Sequence, residues 1–61
     1  MGMRKVRTER GLSQESIGFL GGVDKSSISR HERGTLTLDP RIIVRIASAL
    51  RVRPTQLGGP S

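Results

Sequence analysis

Four polar side chains at helical spacing carry the chemistry of this chain: Lys25, Ser26, Ser29 and Arg30. Lys25 and Ser29, like Ser26 and Arg30, are four residues apart, so all four line the same side of a helix. Lysine and arginine donate hydrogen bonds and accept none, and the planar arginine fork bonds two acceptors at once. The serine hydroxyls are short and chemically tolerant. Such a surface suits binding to an acceptor-rich, anionic partner. Catalysis is a poor fit: the chain has no cysteine, one histidine, five scattered acids and no glycine-rich phosphate loop, so no nucleophile, base and orienter can be assembled. No enzyme is expected. One histidine without cysteine cannot build a zinc site, and neither metal nor cofactor is expected.

The bulk numbers point the same way. Eleven Lys or Arg stand against five acids, a net charge of +6 in 61 residues, and the pI is about 11.7. A small surface so basic attracts polyanions and speeds encounters with them. Nucleic acid is the expected partner, ahead of an acidic protein or a membrane surface. Phe19 is the single aromatic residue, whereas single-strand binders need several stacking platforms. Duplex recognition is therefore favoured. The longest apolar run is Ile42-Ile43-Val44, far short of a membrane span or a signal h-region. By default the protein is expected to be soluble, cytoplasmic and nucleoid-associated, with no membrane partner. A chain this short buries only about 60% of its unfolded surface, so it forms one small domain of modest stability.

Glycine and proline punctuate the elements that must position these residues. Met3, Val6 and Arg10 have helical spacing, and Gly11 stops that first helix. Ser13 caps a second helix from Gln14, with Glu15 favourable in its first turn. Ile17 and Leu20 face its core side, and Gly21-Gly22 ends it. Asp24 caps a third helix to Arg33, stopped by Gly34, and Thr35 to Leu38 form a loop. Asp39-Pro40 opens a fourth helix with a broad apolar stripe of Ile42, Ile43, Ile46, Ala47 and Leu50. Pro54 starts a short fifth helix through Leu57, although Arg53 is a poor cap. The spacing predicts an all-α, compact bundle of four to five short helices over residues 1–57, with a disordered tail at 58–61. Two short helices joined by a glycine turn, the second rich in polar and basic side chains, fit a helix-turn-helix.

The segment RGLSQESIG, the turn GGVDKSSISR and the ending ERG resemble the Cro/cI-type (XRE-like, lambda-repressor-like) helix-turn-helix family. The resemblance extends from about Met3 to Leu57 and includes Val44 to Leu50, similar to the family's L-x-x-I-A-x-A-L pattern. It implies that Lys25, Ser26, Ser29 and Arg30 touch base edges in the major groove. Arg30 is the best guanine reader, because its fork bonds O6 and N7 together; Lys25 reads guanine or holds a phosphate. It implies phosphate contacts by Gln14, Ser27, Arg33, Thr35, Arg41 and, with less support, Arg10. Arg7 and Glu32 match a family ion pair between the first and third helices. Gly18 matches a small residue where the second and third helices cross, Gly22 the turn, and Ile17, Val23 and Ile28 the buried contacts. Arg4, Lys5, Arg45, Arg51 and Arg53 are taken as solubility or steering charges.

Three positions depart from the family pattern. His31 stands where Ile or Leu is usual, either as a satisfied neutral imidazole or as a pH-sensitive seat for the third helix. Gly21 replaces Ala or Leu, with Leu20 expected to fill the space. Phe19 faces outward on a helical wheel, as a chance exposure, a core residue under a shifted helix, or a partner contact. The resemblance implies a sequence-specific duplex DNA-binding regulator, a repressor bound as a homodimer to a two-fold symmetric site, with Val52, Leu57 and the end of the fourth helix as dimer contacts. The alternative is a protein-interaction module, antitoxin- or adaptor-like, meeting a protein partner through Phe19 or a carboxy-terminal apolar patch.

Overall fold

The computed structural model describes residues 2–58. In chain order these form α1 (Met3–Glu9), α2 (Gln14–Gly21), α3 (Lys25–Arg33), α4 (Pro40–Leu50) and a terminal 3-10 helix (Pro54–Leu57), with no strand among the described residues. This is the all-α fold expected. Of the tail expected at 58–61, Gly58 ends the 3-10 helix in the left-handed region, φ 77°, and residues 59–61 lie outside the described residues.

Local chemistry sets the boundaries. Ser13 is extended, and its Oγ accepts the Ser16 N–H at 3.0 Å, satisfying one open donor of α2. Gly22 ends α2 in the left-handed region, φ 75° and ψ 29°, which glycine enters without steric cost. The Val23 N–H then returns to the Gly18 carbonyl at 2.8 Å, closing the turn. Asp39 accepts the Arg41 N–H at 2.8 Å, with Pro40 opening α4 behind it. The missing cap at Arg53 is supplied from within the 3-10 helix: Gln56 Oε1 accepts the Arg53 N–H at 2.8 Å.

Packing closes the bundle. Met3, Val6, Ile17, Ile28, Leu38, Ile43, Ile46, Ala47 and Leu57 form the core, each large one worth roughly 2 kcal/mol of burial. Helix α2 packs on α3 and α4, while the 3-10 helix packs on α1 and α4. Leu38, at the end of the loop expected at Thr35 to Leu38, is buried and anchors the α3–α4 connection. Val23, Leu20, Ile42 and Leu50 are half-buried against the same core.

Four expectations change. Gly18 is small because of the turn: a Cβ there would lie 2.5 Å from the Val23 carbonyl oxygen rather than against α3. The space at Gly21 is filled by Ile46 and Ile42, whose side chains would lie 2.9 and 3.0 Å from an added Cβ, so Leu20 is not the filler. Phe19 is 86% exposed, which removes its reading as a core residue. Leu57 is fully buried, which withdraws it from any dimer surface or carboxy-terminal patch. No helix among the described residues is long and apolar enough to cross a membrane.

Candidate nucleic-acid interface

The inner side of α3 is tied down on three sides. Ile28 is fully buried and His31 nearly so. The Glu32 side chain is inaccessible and accepts from Arg7 Nε at 2.7 Å and Arg7 Nη2 at 3.1 Å. Arg7 also donates to the Leu12 carbonyl at 3.0 Å, so one guanidinium links α1, the connection to α2, and α3. Burial pushes the Glu32 carboxyl up, but the hydrogen bonds from Arg7 and Gln14 and the charges of Arg7 and Arg4 outweigh it, leaving it below the ordinary range. The hydrogen bond to Glu32 holds Arg7 above the usual arginine value, against the opposing effect of burial. The expected ion pair is thus present, and its geometry is bidentate.

The outer side of α3 is open. Lys25, Ser26 and Arg30 are exposed and Ser29 is half-buried, so the four expected base-contacting residues share one accessible face. The side chains of Lys25, Arg30 and Arg33 make no hydrogen bond or ion pair among the described residues. Their donors remain available to a ligand.

The other expected phosphate contacts are engaged within the protein. Gln14 Nε2 donates to Glu32 Oε1 at 3.1 Å, joining α2 to the Arg7–Glu32 pair. An amide nitrogen carries two protons, so one donor remains. The Ser27 hydroxyl donates to Asp24 Oδ1 at 2.7 Å, which is the main reason the Asp24 carboxyl lies below its ordinary range. Thr35 donates to the Arg30 carbonyl at 3.2 Å. Arg41 Nε lies 3.5 Å from Asp39 Oδ1 but stays 90% exposed. Arg10 Nη2 reaches the Leu50 carbonyl at 3.3 Å, a cation at the carboxy-terminal end of α4. A phosphate at Ser27 or Thr35 has to displace an existing bond; one at Arg33 does not.

Sequence reasoning missed parts of this scaffold. Arg45, taken as a solubility charge, donates from Nη1 to the Gly21 carbonyl at 3.1 Å. It places a cation at the end of α2 and braces the helix-turn-helix turn from α4. Arg4 is likewise less detached than expected, with Nε 3.7 Å from Glu32 Oε1.

A family model described as helix-turn-helix matches residues 3–57. The chain belongs to the XRE-like helix-turn-helix family. The crystal structure of the restriction-modification controller protein C.AhdI from Aeromonas hydrophila is similar, with a TM-score of 0.79 and 40% sequence identity over 90% of this chain and 80% of that chain. No curated protein matches. Membership in this family makes the chain a DNA-binding transcriptional regulator, and α2 and α3 are its helix-turn-helix.

Proposed function

We propose that the chain is a sequence-specific regulator that lays α3 in the major groove of duplex DNA and represses transcription by occupying a promoter. The observation that carries this reading is the two-sidedness of α3: a locked inner face and an outer face on which Lys25 and Arg30 are exposed and, among the described residues, unengaged. Arg30 reads guanine through O6 and N7, with Lys25 on guanine or phosphate and Ser26 and Ser29 adapting to neighbouring edges. Gln14, Ser27, Arg33, Thr35, Arg41 and Arg10 set the register on the backbone. A homodimer on a two-fold symmetric site would place two such helices about one DNA turn apart. Val52, half-buried near the end of α4, remains the candidate dimer contact once Leu57 is excluded. The likeness to a restriction-modification controller protein supports a regulator of this size. Exposed Phe19 favours an additional contact with a protein partner.

The test is selection from a randomised duplex library at two salt concentrations, with sequencing of the bound fraction. A palindromic motif is the expected result. Motif-free binding that vanishes with salt would show that the +6 charge alone drives association.

A further inference from the structure

His31 is a buried ionisable side chain that takes no part in the interface described above. It lies on the inner side of α3, next in sequence to Arg30. Its Nε2 is 2.8 Å from the Leu57 carbonyl oxygen, and its Nδ1 is 3.2 Å from the Leu38 backbone nitrogen. A carbonyl oxygen only accepts and a backbone N–H only donates. The two contacts therefore select one neutral tautomer: Nε2 carries the proton and donates to Leu57, and the bare Nδ1 accepts from Leu38. The ring is a strut from α3 to both the α3–α4 loop and the terminal 3-10 helix. Leu38 and Leu57 are themselves buried, so withdrawal of the ring would strand a polar main-chain group at each.

We propose that His31 is a positioning residue that seats the recognition helix, and that its protonation unseats that helix and weakens DNA binding. The inference rests on the reading of α3 as the recognition helix. A proton on Nδ1 turns the acceptor for Leu38 into a donor, so acid removes that bond and places a charge beside an N–H. Among the described residues nothing nearby is arranged to balance it. On α3, Glu32 is committed to Arg7 and Gln14, and Lys25, Arg30 and Arg33 are exposed. Asp39 in the following loop pairs with Arg41. Arg53 beside the 3-10 helix is exposed, as are Lys5 and Glu9 on α1, while Arg4 approaches Glu32. On α4, Arg45 serves the Gly21 carbonyl, and Arg51 is exposed at its end. Stability and binding therefore stand with the neutral ring and fall when acid protonates it. Added positive charge alone would strengthen attraction to DNA, so a loss on acidification has the opposite sign to a simple charge effect.

The experiment combines nitrogen NMR of the ring with thermal unfolding from pH 7.5 to 5, for the wild type, His31→Leu and His31→Gln. At pH 7.5 the wild-type ring should be neutral with its proton on Nε2. On acidification the protection factor of the Leu38 amide, corrected for the slower intrinsic exchange in acid, should fall about tenfold, the effect of one buried hydrogen bond. The wild-type unfolding midpoint should drop, and the variants should lack that drop. Affinity for the library-selected duplex should fall about tenfold in parallel in the wild type alone. A proton on Nδ1 at neutral pH, or parallel pH curves for wild type and variants, would overturn the proposal. The ring spectra stand even if a variant fails to fold. Failure to select any duplex would instead overturn the proposed function, leaving the unfolding curves to decide the role of His31.

Discussion

At the residue scale, Glu32 joins the first three helices. Its buried carboxylate collects Arg7 from α1 and Gln14 from α2. Removing Arg7 leaves that charge without its main partner, so Arg7→Ala should cost about 3 kcal/mol in urea unfolding. Because the folded protein holds the Glu32 carboxyl below its ordinary range, the pair contributes stability above the unfolded value, about 4.3. That contribution is lost as pH falls through the lowered folded value. An acid titration of stability should show this loss below about pH 4 in the wild type, with a flatter profile in Glu32→Gln. An identical profile in both would show that the carboxylate is not stabilised by its partners. The pair itself was visible in the sequence through the family resemblance. Gln14 as its third member was not, because the link joins residues 18 apart and exists only once α2 and α3 pack. Arg45 was misread for the same reason: an arginine on the outer side of a helix looks solvated until packing brings the Gly21 carbonyl within 3.1 Å.

At the scale of elements, the two small residues Gly18 and Gly21 are required for different reasons and should respond differently to a methyl group. At Gly18 the obstacle is a backbone oxygen in the turn, 2.5 Å from the added carbon. Relief demands that the helix-turn-helix turn move, so Gly18→Ala should cost about 3 kcal/mol even after the helix propensity that alanine regains there as well. At Gly21 the obstacles are the flexible ends of Ile46 and Ile42. Alanine there regains about 1 kcal/mol of helix propensity, so the net cost should be nearer 1 kcal/mol. Denaturant midpoints of the two variants measure the difference; equal losses would contradict the assignment of distinct obstacles. The helix starts at Ser13 and Asp39-Pro40 and the stops at Gly22 and Gly34 were legible because these signals are local. Asp24 stands at the start of α3 as expected, but its carboxylate accepts from the Ser27 hydroxyl and makes no capping hydrogen bond. The stop of α4 was not legible. It ends at Arg51 with φ 57°, a left-handed conformation that the sequence marks with no glycine. The burial of Leu38 was equally hidden, since the rest of its loop is exposed and offers no period.

At the scale of the molecule, a net charge of +6 guarantees attraction to DNA without explaining selectivity. Selectivity depends on whether the open face of α3 reads bases. The direct measurement is the ratio of affinities for the selected duplex and for a random duplex of equal length, at one salt concentration, in the wild type and in Arg30→Ala. If Arg30 reads a guanine, the substitution should lower that ratio about tenfold or more and leave random-duplex binding nearly unchanged. Gln14→Ala, altering a phosphate contact, should weaken both duplexes alike. Equal losses on both duplexes for Arg30→Ala would contradict the account, because Arg30 would then be one more charge on the phosphate backbone.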